Sequence, residues 1–338
     1  MADPKGHTLS DIGEAGVIAL FSPPGGAIGE KVVVPNGDDA AAFFTEPRYV
    51  SVVTTDTLVE HVHFELGHGP EIRVGRKLMS VNLSDIAAMG ATPRYALLSV
   101  CFPKSLPVVV AERIAIGVRE VAKAHGVAVI GGNVTSSPGP MMLSATLVGR
   151  AEPEELVRRR GTQAGDAIFV TGRLGQARAG LRVLQTTGPL EKGHPWSKLV
   201  VALTDPKARV KTGRALARGR FVHAMCDISD GFGVDLRSLL RLEQLGARID
   251  ARALPISAAT RDYCAAQGLS PERVALAGGE DYELLFTAHP RDTDAIVAEC
   301  ASTGTPVSRV GMVTAEPLLD VEMPSGELIP LIGGYDHF

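Results

Sequence analysis

The feature that most constrains this chain is an alternation of short apolar segments with long helical ones, which runs through the first 150 residues and restarts after residue 166. In the first run VVVP (32–35), YVSVVTT (49–55), RYALLSVCF (94–102), VAVI (127–130) and MMLSATLVGR (141–150) read as strands, several with period two. Helices are expected at 71–89 and at 108–125, the second preceded by Pro107 and closed by Gly126. The second run gives strands AIFVTG, HAMCDIS, ARIDA, YELLFTA and VSRVGMV, with helices at 175–187, 206–218, 231–245, 257–267 and 291–302. Strands interleaved with helices must bury sheet faces under helical layers, so the expected class is α/β, built as α+β layers. The polar stretch AEPEELVRRRGTQAGD (151–166) separates the two runs and predicts a boundary between domains 1–150 and 151–338. The length agrees, because 338 residues exceed the roughly 250–300 at which a single core stops growing. TTGPLEKGHPWS (186–197) reads as a mobile surface loop.

Composition narrows the class of function. Hydrophobic residues make up 45%, yet no apolar run reaches the 18 or so residues a membrane span needs. The N-terminal segment carries Asp3, Asp11 and Glu14 and has no basic stretch leading into an apolar one, so a cytoplasmic location without a secretory signal is expected. Cys101, Cys226, Cys264 and Cys300 are far apart and read as reduced thiols in apolar surroundings. A formal net charge of −4 argues against a nucleic-acid surface, and the basic run Arg158, Arg159 and Arg160 is too short to change that.

The acids are placed unusually. GDD (37–39), TTDT (54–57), DISDG (227–231) and GGED (278–281) sit in short segments bounded by glycine or apolar strand, where active sites of α/β proteins gather. Asp56 lies between hydroxyls and reads either as a turn residue or as a cation ligand. Asp85 lies with Asn82 and Ser84 inside the apolar stretch LMSVNLSDIAAMG (78–90) and marks either a solvent-facing stripe or a functional carboxylate. In CDISDGFGVDL (226–236), Ser229 or Asp230 is an expected helix N-cap, a reading that leaves Asp227 on its apolar strand unexplained. His61 and His63 share a face but have no further histidine or cysteine in register, which disfavours zinc.

VIGGNVTSS (129–137) reads as a strand breaking at Gly131 and Gly132 into a loop whose backbone amides approach an anion. No lysine or arginine follows, no GxxxxGK(S/T) motif occurs anywhere, and protein-kinase loops are missing. With oxygen donors dominant, hard cations such as Mg²⁺ are favoured, and phosphate would be held through them. Phosphoryl transfer needs such charge neutralisation and in-line positioning more than it needs a covalent nucleophile.

Seven segments in order, GDDAA (37–41), TTDTLVEHVHF (54–64), VNLSDIAAMGATP (81–93), GGNVT (131–135), CDISDG (226–231), GGEDYELLF (278–286) and GYDHF (334–338), make the chain resemble the bacterial thiamine-monophosphate kinases. That family shares a superfamily with aminoimidazole ribonucleotide synthetase and selenophosphate synthetase. The resemblance implies ATP-dependent phosphorylation of thiamine monophosphate to thiamine diphosphate by direct in-line transfer, with several Mg²⁺ ions, ATP as co-substrate and no phosphoenzyme. It implies a homodimer whose N-terminal mixed sheets pair into a barrel-like interface, with the nucleotide nearby, and a C-terminal α/β sandwich that completes the active site. Carried over by position, Asp39, Thr54, Thr55, Asp56, Asp85, Asp227 and Asp230 are expected metal ligands. Gly132, Arg159 and Ser229 are expected ATP contacts, and His63 and Glu280 contacts to thiamine monophosphate.

Two positions depart from the family pattern. Asn133 stands where the family's GGDT loop has a metal-binding aspartate, and Gly333 where an aromatic residue often precedes the terminal tyrosine. An asparagine carbonyl still ligates Mg²⁺ but removes one negative charge. The competing readings are another ATP-dependent enzyme of the superfamily and a degenerate, non-catalytic nucleotide-binding dimer.

Overall fold

The computed structural model describes residues 32–34, 38–44, 48–191 and 193–331; Gly37, Gly333 and the GYDHF segment lie outside the described residues. The chain forms two mixed sheets with helices packed on and between them. The first contains β1 (Val32–Val34), β2 (Ala41–Phe44), β3 (Val50–Val59), β4 (Thr92–Pro103), β5 (Ala128–Ser137) and β6 (Met142–Ala151), in the order β1-β2-β3-β6-β4-β5. Its pairs are antiparallel except β4 with β5, which α2 (Val108–Ala124) joins by a crossover. The sheet is open: in this single chain it does not close into a barrel.

The second sheet comprises β7 (Ala167–Thr171), β8 (Val222–Asp227), β9 (Gly246–Asp250), β10 (Leu284–Ala288), β11 (Val307–Thr314), β12 (Leu319–Glu322) and β13 (Leu328–Pro330), ordered β13-β12-β9-β11-β7-β10-β8. Around it lie α3 (Gln176–Thr187), α4 (Ser197–Thr204), α5 (Val210–Gly219), α6 (Phe232–Arg241), α7 (Ala258–Gln267), α8 (Pro271–Ala277) and α9 (Thr293–Ser302). Sequence periodicity missed β2, β12, β13, α4 and α8, all eight residues or shorter, because so short a segment carries little pattern. The end of the 186–197 stretch is tied down by Trp196, whose ring meets Tyr263 edge-on at 5.1 Å.

One helix joins the two halves. α1 (Ile72–Ala88) lies on β3 and β6 of the first sheet and on α5 and β8 of the second domain, so it is buried nearly all round. This burial removes the solvent-stripe reading of its polar residues: Asn82 and Ser84 are fully buried, and Asp85 is half-buried among the other acids. α1 crosses α2 at unusually close range through two glycines. A Cβ on Gly75 would lie 1.9 Å from the Ile114 carbonyl oxygen, and one on Gly117 2.0 Å from that of Ile72.

The glycine pair of GGNVT does not end its strand, as the sequence suggested; β5 continues to Ser137 beside β4. A bulge at Ile130 shifts the register, and a Cβ on Gly132 would sit 1.8 Å from the Leu98 carbonyl oxygen. The glycine therefore serves backbone approach between two strands, and tertiary pairing overrides the local turn signal.

Candidate active site

The site is built where α1 meets both domains. Asp39 lies in the short segment before β2, Asp85 in the last turns of α1, and Asp227 ends β8. One carboxylate oxygen from each lies within 4.8 Å of the others. The β3 alternation turns Thr54 and Asp56 toward α1. There Thr54 Oγ1 donates to Asp85 Oδ2 at 2.5 Å, and the Asp56 amide donates to Asn82 Oδ1 at 3.0 Å. Asp39 receives a bidentate clamp from Arg159, Nε to Oδ2 at 2.8 Å and Nη2 to Oδ1 at 2.7 Å, while the Arg159 amide donates to Asp38. Arg159 thus belongs to the site, whereas Arg158 and Arg160 are exposed on either side of it.

Electrostatics follow from burying so many carboxyls together. Burial first, and then the charges of Asp56, Asp227 and Asp39, push the Asp85 carboxyl well above its ordinary value. Burial and Asp39 do the same to Asp227; Ser84 is near enough to oppose this, although it makes no hydrogen bond of ordinary geometry. Burial and the charge of Asp230 raise Asp56 against an opposing hydrogen bond with Asp85. Burial and Asp39 raise Asp38 to about 6, and burial with Asp230 raises Asp235 to about 8. Burial works against the Arg159 charge, but Asp39 more than offsets it and holds the guanidinium above its ordinary value. Asp227 Oδ2 is buried with no hydrogen-bond partner. A carboxylate oxygen left this way is costly unless a cation or proton meets it.

A second group of polar contacts, which includes the expected acceptor residues His63 and Glu280, lies along α1, two turns before Asp85. Lys77 Nζ donates to Glu280 Oε1 at 2.6 Å and to the His63 carbonyl oxygen at 2.9 Å. His63 Nδ1 accepts from the Val59 amide, which places a neutral ring's proton on Nε2. The Glu280 amide donates to the Ser229 carbonyl at 2.7 Å, so DISDG and GGED are laced together. Neither Ser229 nor Asp230 caps α6, as the sequence had suggested: the helix follows Gly231, and Asp235 Oδ2 accepts the Gly231 amide instead. His61 is exposed and pairs with Glu65. Lys77 was missed, because a lysine in a helical pattern ordinarily reads as solvent-facing.

Thr55 and Asn133 are not brought into this cluster. Thr55 alternates to the opposite face of β3, where Thr146 Oγ1 donates to its hydroxyl. Asn133 pairs through Ser99 and Ser144 with Thr57, which puts it on that outer face and three strand spacings, about 14 Å, from β3. Gly132 is on the same edge strand.

This geometry, two domains meeting over a buried acid cluster, belongs to a known class. Residues 37–151 match the family AIR synthase related protein, N-terminal domain, and residues 163–323 match AIR synthase related protein, C-terminal domain. The chain is 34% identical to thiamine-monophosphate kinase of Rhodopirellula baltica, covering 84% of each chain. It is 37% identical to the Aquifex aeolicus thiamine-monophosphate kinase, over 84% of this chain and 88% of that one. In fold it is similar to AaThiL complexed with AMPPCP and TMP, with a TM-score of 0.85, 32% identity and coverage of 98% and 99% of the two chains. The chain belongs to the thiamine-monophosphate kinase family of the AIR synthase related proteins.

Proposed function

We propose that the chain catalyses phosphorylation of thiamine monophosphate by ATP, giving thiamine diphosphate and ADP. The observation that carries this reading is the acid cluster at the domain junction, on a fold that superposes over nearly its whole length with a relative holding AMPPCP and TMP. A phosphate oxygen of thiamine monophosphate attacks the γ-phosphorus in line, the bond to the ADP bridging oxygen breaks, and no residue is phosphorylated on the way.

The donor set fits Mg²⁺: it is all oxygen, carries three converging carboxylates and includes the partnerless Asp227 Oδ2. Asp39, Thr54, Asp56, Asp85, Asp227 and Asp230 would hold the ions. Bound there, Mg²⁺ supplies the positive charge that phosphate oxygens need during transfer. Arg159 and Ser229 contact ATP, while His63 and Glu280 receive the acceptor. Residues 1–150 form the ATP-binding and dimerisation domain, and 151–338 complete the site.

The reading includes a homodimer. Tyr95, Leu97 and Met142 are exposed on the outer face of β4 and β6, and Val129, Ile130 and Val134 along the edge strand β5, together more apolar surface than solvated strands need. Paired with a second copy, this region forms the barrel-like interface and brings Gly132 to a nucleotide bound beside it, with Thr55 and Asn133 toward Mg²⁺ held by that nucleotide. No helix among the described residues is long and apolar enough to cross a membrane, and use of ATP fits a cytoplasmic location.

The test is direct: purified protein is incubated with ATP, Mg²⁺ and thiamine monophosphate, and ADP and thiamine diphosphate are quantified. Equal amounts of both are expected; ATP turnover only with another acceptor, or tight ATP binding without turnover, overturns the reading. Asp56→Ala and Asp85→Ala are each expected to abolish turnover with an unchanged circular-dichroism spectrum. Asn133→Asp is expected to lower the Mg²⁺ concentration needed for half-maximal activity.

A further inference from the structure

Lys77 is the one lysine among the large, fully enclosed side chains of the described residues, with 2% of its surface exposed. A buried ammonium is costly unless paired. Its partners come from both domains: the Glu280 carboxylate, 203 positions away, and the His63 main chain. We propose that Lys77 is a positioning residue for the phosphate acceptor, locking the Glu280 carboxylate of the second domain to the His63 segment of the first so that both acceptor contacts are held at one spacing. The proposal rests on the assignment of His63 and Glu280 to thiamine monophosphate.

Three observations support it. Glu280 adopts a positive φ of 63°, uncommon for a residue other than glycine, and is held there by the hydrogen bond its amide donates to the Ser229 carbonyl; Tyr282, at φ 49°, is held likewise by the Ile228 carbonyl. The loop is thus fixed in a strained form that aims Glu280 at α1. Secondly, only Oε1 is engaged by Lys77; Oε2 makes no hydrogen bond among the described residues, and the side chain is 28% exposed. One oxygen is anchored while the other faces accessible space, as a carboxylate receiving the cationic ring of an acceptor would be. Thirdly, Lys77 stands next to Leu78 and one turn from Val74 in the buried surface of α1. An apolar residue there would serve packing as well, since buried ion pairs seldom stabilise more than well-packed hydrophobes. Position is what the pair supplies.

The experiment is a double-mutant cycle in the intact enzyme with Lys77→Met, Glu280→Gln and the double variant, following KM for thiamine monophosphate and for ATP, kcat and the melting temperature. Lys77→Met is expected to raise KM for thiamine monophosphate about tenfold or more, with KM for ATP changed less than about twofold. The double variant is expected to be no worse than Glu280→Gln alone, because both changes break one unit. Multiplying effects, an unchanged KM for thiamine monophosphate in Lys77→Met, or parallel rises in both KM values overturn the proposal. Unchanged KM in Glu280→Gln overturns the acceptor assignment itself and this proposal with it. Lys77→Arg, which keeps the charge, is the second variant; failure of both Lys77 variants to fold makes the residue structural and also overturns the proposal.

Discussion

Asp227 ends a fully buried run of β8 with one oxygen unpartnered, beside Asp39 and Asp85. Burial pushes the Asp227 and Asp85 carboxyls toward the protonated form in the folded chain, so protons held in this region tie stability to pH. In the unfolded chain Asp38 and Asp235 release protons near 3.8, whereas in the folded chain they hold them to about 6 and about 8. The folded state therefore binds more protons across this window, and these groups contribute stability that is present below about 4 and lost as pH rises through 6 and 8. With chelator present, Asp235→Asn is expected to gain stability relative to the parent as pH rises from 4 to 8, by at most about 1.4 kcal/mol per pH unit, read by calorimetric melting. Asparagine keeps an acceptor for the Gly231 amide, so the cap survives. Adding Mg²⁺ is expected to reverse the parent's loss at pH 8, because the ion then takes the place of the protons.

Among the elements, α1 does most to create the site, and it does so by being enclosed. Its crossing with α2 is set by backbone contact at Gly75 and Gly117, where no side chain fits. Gly75→Ala forces that crossing apart and is expected to cost at least about 1–3 kcal/mol in urea unfolding, more than the small gain in helix propensity returns. Activity at saturating substrate is expected to fall as well, since Lys77, Asn82 and Asp85 ride on the same helix. The identity of this helix was legible in the sequence, and its polar residues were noticed there. Whether they faced water or the second domain was not, because periodicity reports which residues share a face and not what covers it. The GGNVT segment shows the converse: two adjacent glycines carry a strong local turn signal, yet pairing with β4 makes them strand.

For the whole molecule, the uncovered surface along β4, β5 and β6 decides what a single chain can do. Val134 is 76% exposed and Ile130 59%. Val134→Asp is therefore expected to leave the melting of the isolated chain nearly unchanged, within about 0.5 kcal/mol as for other exposed positions, while converting the proposed dimer to a monomer in light scattering. KM for ATP is expected to rise with it, because Gly132 and Asn133 lie on the same edge strand. A dimer that survives this change places the interface elsewhere.

The sequence by itself determined the layered α/β class, the long elements and the acids that matter, because period, glycine placement and costly carboxylates are local signals. It marked Asp39, Asp85 and Asp227 without showing that they converge; their oxygens meet within 4.8 Å only once α1 is pressed between the two sheets. Tertiary structure alone decided that Arg159 clamps Asp39, that Lys77 joins Glu280 to His63, and that Thr55 and Asn133 face away from the cluster. The physical reason is the same throughout. A charged side chain's role is set by which opposite charge or vacant lone pair it meets, and partners up to 203 residues apart are chosen by packing, not by spacing along the chain.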